Sequence, residues 1–333
     1  MSGYITKEEV HRWLDGLRQS RDVIAPVKVD DLMLFRRVDR VEDIAFDFAN
    51  TDMSPKEFLL PATETLFRVE KRDGSVELVP RDIQRETVIF GIRPCDAKGM
   101  AALDLPYLED PADGFYRQRR EMTALVGLSC RTACAECFCT SMGTGPQDSS
   151  CVDVMLTEVD GGYLVELVTE KGRGLLPESM LSQKDAPAPA PPDVQQVPSA
   201  GMAEKLRQVF DDSYWGRLAD RCLHCNVCSY VCPTCYCFDI RDYEESGVVN
   251  RVRSWESCQS PGFTKIAGGH DPRADKGSRL RQRFAHKLVY FPEHFGVMHC
   301  VGCGRCVRKC PVNIDIREVM RNVQQLSGGS DGG

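Results

Sequence analysis

Two runs of cysteine dominate the chemistry that this chain can do. Cys222-x2-Cys225-x2-Cys228-x3-Cys232-Pro233 is answered later by Cys300-x2-Cys303-x2-Cys306-x3-Cys310-Pro311. Two intervening residues let a chain wrap one corner of a cube and offer consecutive thiolates to three irons, so the fourth iron must be met from elsewhere. This is the bacterial ferredoxin spacing, in which the fourth cysteine of each run crosses to the other [4Fe-4S] cluster. The expected ligand sets are therefore Cys222, Cys225, Cys228 and Cys310 for cluster A, and Cys300, Cys303, Cys306 and Cys232 for cluster B. Each proline removes a backbone donor beside the sulfur cage. Gly302 and Gly304 allow amides to approach the sulfides of cluster B. A zinc ribbon uses two C-x2-C pairs and has no role for a third cysteine and a Cys-Pro, twice over. His224 and His299 adjoin ligand cysteines without being ligands.

The chain has 17 cysteines in 333 residues, an odd count that disfavours a closed disulfide framework. Nine lie outside the two runs. Cys137-Phe138-Cys139 in an extended chain points both sulfurs to one face. Cys130 lies just upstream, and Cys95 follows the apolar stretch Val88–Ile92. These four thiols could hold a third iron–sulfur cluster, and zinc or plain structural thiols suit the same residues. Cys235, Cys237 and Cys258 follow the first run, and three cysteines cannot complete an ordinary cube. They read as buried thiols or as donors beside a cluster. Cys134 and Cys151 have no assigned place.

The elements that must position these residues fall into an α+β plan: an N-terminal mixed α/β domain, residues 1–180, and a mainly α-helical two-cluster ferredoxin domain, residues 202–326. Thr6 and Glu9 form a capping box for a helix over residues 6–20, with Val10, Trp13, Leu14 and Leu17 on its apolar face. Short apolar runs such as Leu32–Phe35, Leu66–Val69, Thr87–Phe90 and Tyr163–Val168 read as strands, and Cys95–Leu103 and Asp113–Glu121 as helices. A Pro/Ala-rich tract within residues 181–201 reads as an extended spacer that cannot pack. Beyond it, Ala203–Asp220, Val248–Trp255 and Ser278–Tyr290 read as helical, and residues 327–333 as a disordered tail. The long insertion between Cys232 and Cys300 argues against a minimal ferredoxin sandwich.

A formal net charge of -7 argues against nucleic acid as a partner. No stretch is long and apolar enough to span a membrane. The stretch after Met1 leads into charged Lys7-Glu8-Glu9 and not a secretory leader, so a cytoplasmic location is expected, where metal-bound thiolates are commoner than disulfides. No dinucleotide fingerprint, Walker loop or hydrolytic triad is present. The basic segment Arg273–Lys287 reads as a solvated helix face. The chain reads as one that moves electrons and has no catalytic centre of its own. The alternative is a thiol/disulfide or sulfur-compound reductase that uses the surplus cysteines Cys235, Cys237 and Cys258.

Several stretches together carry a family resemblance: Val23–Lys28, Asn50–Phe58, Glu64–Phe67, Gly91–Asp96, Cys137–Pro146, Cys232–Phe238 and Cys300–Cys306. The chain resembles the family that contains the beta subunit of cytoplasmic sulfhydrogenases and the A subunit of anaerobic sulfite reductase. The resemblance implies an iron–sulfur electron-transfer subunit that works beside a flavin-containing, NAD(P)-binding diaphorase subunit. It also implies a separate catalytic subunit of NiFe hydrogenase, sulfite reductase or heterodisulfide reductase type, and an α-helical ferredoxin fold after the linker. Cys95, Cys130, Cys137 and Cys139 match the family's first-domain cysteines, which implies a third cluster there. The stretch Arg131–Glu136 departs from the family pattern, and its extra Cys134 competes for the fourth-ligand place.

Overall fold

The computed structural model describes residues 2–72, 75–80, 85–183 and 187–326. The tail expected to be disordered lies outside the described residues. The chain forms two compact units, each assembled from separate stretches. The first comprises Met1–Lys56, Arg85–Val197 and Cys300–Arg305, and the second Glu57–Gln84, Pro198–His299 and Cys306–Gly333.

The first unit is built on a seven-stranded sheet in the order Ser2–Thr6, Gly162–Leu167, Val154–Val159, Thr123–Leu128, Thr87–Ile92, Asp22–Val29, Leu32–Arg37. The four strands Asp22–Val29, Thr87–Ile92, Thr123–Leu128 and Val154–Val159 run parallel, and the flanking pairs are antiparallel. Parallel strands are covered on both faces, which is why Thr-Val-Ile-Phe-Gly-Ile and Thr-Ala-Leu-Val-Gly-Leu are continuous apolar runs and are buried almost throughout. The helix Lys7–Ser20 carries the expected capping box, Glu9 N donating to Thr6 Oγ1 at 3.2 Å and Thr6 N to Glu9 Oε2 at 2.9 Å. Val10, Trp13, Leu14 and Leu17 are buried, and Trp13 Nε1 donates to the Leu175 carbonyl at 2.9 Å.

The second unit differs from the mainly helical expectation. It contains a four-stranded antiparallel sheet in the order Phe238–Glu245, Val248–Trp255, Thr63–Arg72, Ser75–Pro80. Val248–Trp255, expected to be helical, is a strand: Val248, Val249, Val252 and Trp255 recur at helical spacing, and it is pairing with the strands Phe238–Glu245 and Thr63–Arg72 that holds the segment extended. Ser246 and Gly247, both at positive φ of 53° and 78°, turn the hairpin. Two left-handed residues match the twist of the strands they join, so Ser-Gly was the signal for this hairpin. The single helix expected over Ala203–Asp220 is two, Met202–Gln208 and Tyr214–Asp220. Asp212 Oδ1 accepts from Tyr214 N at 2.7 Å, the local side-chain bond by which Asp interrupts a helix.

The linear division of the chain is likewise replaced. The strand Thr63–Arg72 was placed by sequence in the first domain, but its partner is Val248–Trp255, 189 positions away in the register Glu64↔Arg253. Glu64 and Arg253 are both buried at the centre of this pairing, with Arg253 Nε 2.8 Å from Glu64 Oε1. The described part of the Pro/Ala tract, residues 187–197, also packs within the first unit, with Gln147 Nε2 donating to Pro189 O at 2.8 Å and Val197 N to Ser141 Oγ at 2.9 Å. Its prolines hold the backbone extended, which leaves carbonyls free to accept, while Val197 is buried. Among the described residues no helix is long and apolar enough to cross a membrane.

Removing one partner of a buried ion pair strands the other charge in a low-dielectric site. Glu64→Ala is expected to destabilise the second unit by about 3–5 kcal/mol, measured as a fall in the denaturant midpoint followed by tryptophan fluorescence.

Candidate metal centres

In the first unit the site lies just past the carboxyl ends of the parallel strands, where open α/β sheets hold their ligands. The strand Thr87–Ile92 runs into Arg93 and then the helix Pro94–Leu108, whose first turn holds Cys95 and Asp96. The strand Thr123–Leu128 runs into the loop that carries Cys130, Cys134, Cys137 and Cys139. Arg93 ties these two strand ends together. It is buried, its Nη1 donates to Leu128 O at 2.9 Å and Ser129 O at 2.6 Å, and Nη2 reaches Phe48 O.

Cys95, Cys130, Cys137 and Cys139 line one cavity, together with Asn50, Arg93, Gly302 and Cys303. The wall formed by residues 302–304 had no place in the sequence reading of this site. It is pinned by backbone and side-chain bonds: Phe138 N donates to Gly302 O at 2.8 Å, and Asn50 Nδ2 to Cys303 O at 3.0 Å. Gly302 and Gly304 take φ of +63° and +74°. A Cβ on Gly302 would sit 2.5 Å from the Phe138 carbonyl carbon, and one on Gly304 2.7 Å from that of Glu136. These glycines therefore serve the close approach to the Glu136–Cys139 loop. Arg305 completes the wall. Fully buried, it grips Asp96 with both Nη atoms at 2.6 and 2.7 Å and donates through Nε to Thr51 O at 2.9 Å.

Cys134 does not line the cavity; its carbonyl accepts from Cys137 N at 3.0 Å. Cys151 is away from the cavity, its sulfur 3.5 Å from Ser150 Oγ. Burial pushes the Cys95 thiol well up, with the neighbouring Asp96 carboxylate adding to it, and pushes Cys139 up to about 11. Burial also raises Cys130, against the opposing charge of Arg93. Thiols in such an environment lose their protons to a metal, not to water.

In the second unit Cys222, Cys225, Cys228 and Cys310, the whole of expected set A, line one cavity with Cys306, His224, Gln259 and Arg283. The loop wraps because His224 and Asn226 adopt left-handed backbone, φ of 52° and 62°. Three donors already point at sulfur: His224 N to Cys222 at 3.4 Å, Gln259 Nε2 to Cys228 at 3.3 Å and Ile314 N to Cys310 at 3.2 Å. Arg283 is buried in this wall, and its Nε and Nη2 have no hydrogen-bond partner in the protein. Burial works against its charge, yet the thiolates of Cys228, Cys306, Cys235 and Cys232 hold its pKa well up. An unpaired buried guanidinium is costly unless an anion sits beside it. A four-thiolate iron–sulfur cube would be such an anion, with sulfides able to accept these N–H groups, so the residues fit it.

Of set B, Cys232 and Cys306 belong to the second unit and Cys300 and Cys303 to the first. Cys232 is buried and accepts from Lys287 Nζ at 3.3 Å, and Lys287 also donates to Thr234 Oγ1 at 3.1 Å and His299 O at 3.2 Å. Lys287 lies in the wide π-helical turn His286–Tyr290 that follows the helix Lys276–Ala285. The solvated face expected over Arg273–Lys287 is thus partly an inward one: Arg279, Arg283 and Lys287 are buried. Among the described residues no three His, Cys, Asp or Glu side chains are gathered tightly enough to hold a single metal ion. The thiols are spread around cavity walls instead.

Residues 221–314 match the family model of the 4Fe-4S dicluster domain. Over 326 residues the chain is 30% identical to sulfhydrogenase 2 subunit beta of Pyrococcus furiosus, covering 94% of this chain and 95% of that protein. The chain belongs to the sulfhydrogenase beta subunit family. No solved structure matches it. With a dicluster domain over both cysteine runs, this sulfhydrogenase beta relative is an iron–sulfur protein, and electron transfer is the chemistry that such clusters carry.

The signal for the wall that sequence reasoning missed was present in Val301-Gly302-Cys303-Gly304-Arg305, where two glycines and an arginine crowd one cysteine. Gly302→Ala must displace the Phe138 backbone and strain a positive φ. It is expected to cost about 1–3 kcal/mol and to lower the thermal midpoint, read by scanning calorimetry of the metal-free chain.

Proposed function

We propose that this chain is the electron-relay subunit of a cytoplasmic oxidoreductase complex, passing single electrons between a flavin- and NAD(P)-binding subunit and a separate catalytic subunit. Cluster A is held by Cys222, Cys225, Cys228 and Cys310, and cluster B by Cys300, Cys303, Cys306 and Cys232. A third cluster is held in the first unit by Cys95, Cys130, Cys137 and Cys139.

One observation carries the reading: the cavity lined by all four set-A cysteines contains a buried guanidinium, Arg283, with unpartnered N–H groups. When bound, the clusters supply one-electron chemistry at potentials that span roughly -700 to +450 mV across such centres. The protein's own residues do the rest. The thiolates anchor the irons. Gln259 Nε2 and the amides of His224 and Ile314 donate to ligand sulfurs, and Arg283 and Lys287 balance their negative charge; donors and cations of this kind favour the reduced, more negative form.

The third cluster rests on the second thiol-lined cavity, in which four cysteines from two strand-end loops face one space. Cys134 stays outside the cavity lining, its carbonyl accepting from Cys137 N. The relative's name joins a beta subunit to a sulfhydrogenase, and that supports a hydrogenase-type catalytic partner ahead of sulfite or heterodisulfide reductase types.

Anaerobic reconstitution should load about twelve irons per chain, four for each cube. Cys95→Ser should lower this by about four and leave dithionite-bleachable absorption from the remainder, whereas Cys134→Ser should keep the full complement. Iron that stays near eight in the unsubstituted chain would remove the third cluster and leave the relay of A and B. Zinc with no bleachable chromophore would sink the whole reading.

Salt bridges and thiolate–cation contacts at buried sites resist screening, so the potential of cluster A should respond to Arg283 itself. Arg283→Met is expected to shift the set-A midpoint to more negative values in an EPR-monitored titration, because a buried cation beside the cube stabilises the reduced form. An unchanged midpoint would show that the guanidinium does not sense the cluster's charge.

A further inference from the structure

Residues 187–197 of the Pro/Ala tract lie across two cavities of the first unit. Val194 lines the thiol cavity and packs against the buried group of Cys95, Cys139, Val301 and Cys303. Pro189 and Ala190 line a neighbouring cavity of about 330 Å³. Lys7 and Arg131 line it too and are more than half exposed, so this second cavity is open to water. Cys130 lines both cavities. The segment is tied down through side chains near its two ends. At one end Gln147 Nε2 donates to Pro189 O at 2.8 Å. At the other, Gln196 Nε2 donates to Thr140 Oγ1 at 2.9 Å, Ser141 Oγ to Gln196 Oε1 at 3.2 Å, and Val197 N to Ser141 Oγ at 2.9 Å. Thr140 and Ser141 directly follow Cys139 in the turn Cys139–Met142.

We propose that residues 187–197 form a strap that gates the thiol cavity. Closed, the strap holds Val194 against Cys95 and Cys139. Lifted from its Pro189 end, it joins the open cavity beside Cys130 to the thiol cavity and admits small solutes to the thiols. Iron and sulfide are the solutes that count for the relay, and only this clause rests on the third-cluster reading.

The walls of the thiol cavity are not equally fixed. The Gly302–Arg305 side is fastened by the fully buried Arg305 and its paired bonds to Asp96. On the strap, residues 187–191 are exposed, Pro192 and Val194 are half-buried, and Val197 is buried. The bonds of Gln147 and Gln196 to and from the strap are also exposed, so water can replace each of them as it opens. Local opening is drawn from segments with few buried contacts and exposed hydrogen bonds. Pro187, Pro189, Pro191 and Pro192 each fix φ, so the segment is stiff and moves as one piece. Val197, buried and bonded through its N–H, is the anchored end; Pro189, held by one exposed amide, is the end that comes away.

The test uses the full chain, reconstituted with iron and sulfide under anaerobic conditions, and N-ethylmaleimide as the probe. Alkylation of each cysteine is followed in time by digestion and mass spectrometry, with iron per chain measured on the same sample. Cys95 and Cys139 should react slowly in the unsubstituted chain. Val194→Asp places a carboxylate where an apolar contact closes the strap, and should speed both by about tenfold while Cys151, away from the cavity, keeps its rate. Gln147→Ala frees the Pro189 end without touching Val194 and should act in the same direction, so poor folding of the first variant does not decide the matter. At about eight irons per chain the first-unit thiols carry no cluster and alkylation reads the strap directly. At about twelve, transfer of the first unit's irons to ferrozine is read beside it and should quicken by the same factor. Loss of the third cluster therefore leaves the gate standing. Unchanged rates at Cys95 and Cys139 in both variants would overturn the proposal. An equal rise at Cys151 and Cys232 would overturn it too, because the segment would then hold the fold together and not cover a cavity.

Discussion

Arg305 is the residue on which the first unit's site depends. A fully buried guanidinium is an expense unless every face of it is met, and here Asp96 takes two N–H groups, the Thr51 carbonyl another, and Asn50 Oδ1 and Thr51 Oγ1 share the rest at 2.6 and 2.7 Å. Asp96 lies next to Cys95 on the first turn of the helix Pro94–Leu108, and Asn50 holds the Cys303 carbonyl. One cation from the far end of the chain thus fixes the height of the Gly302–Gly304 wall against the cysteine loop. Without it the cavity would lose one side.

The same electrostatic problem is solved with other residues in the second unit. Closely packed thiolates repel one another and are poorly solvated when buried, so each group of them is accompanied by a buried cation. Arg283 faces Cys228 and Cys306, and Lys287 donates to Cys232. In the first unit Arg93 stands beside Cys130 and Cys95. An acidic chain, net -7, turns these cations inward, and the basic segment Arg273–Lys287 that looks in sequence like a solvated face in part lies buried beside cysteine thiols.

Much of the fold was legible because its signals are local. The capping box at Thr6 and Glu9, the apolar strand Thr87–Ile92 and the helix that opens at Pro94 each follow from a few neighbouring residues. The division into units was not legible, because it is set by pairing. Glu64 and Arg253 choose each other across the chain, and nothing in the sequence near Thr63–Arg72 says that its partner strand lies beyond the Pro/Ala tract. The hairpin at Ser246-Gly247 did carry a local signal, but Val248, Val249, Val252 and Trp255 fall at helical spacing, and the strand is decided by its pairing.

The site shows the same split. Spacing alone pointed to which cysteines could bind iron together, since a run at intervals of three residues can meet three corners of a cube, and the four cysteines of set A line one cavity. Spacing also singled out Cys95, Cys130, Cys137 and Cys139, which share another. What only the tertiary structure decided is which groups surround the sulfurs. The unpartnered guanidinium of Arg283, the N–H donors from Gln259 and Ile314 and the wall of Gly302–Arg305 all join residues far apart in sequence. The reason is physical: a ligand run is encoded by bond lengths over a few residues, whereas the field and the neighbours of a thiol are set by whichever distant segments the packing brings beside it.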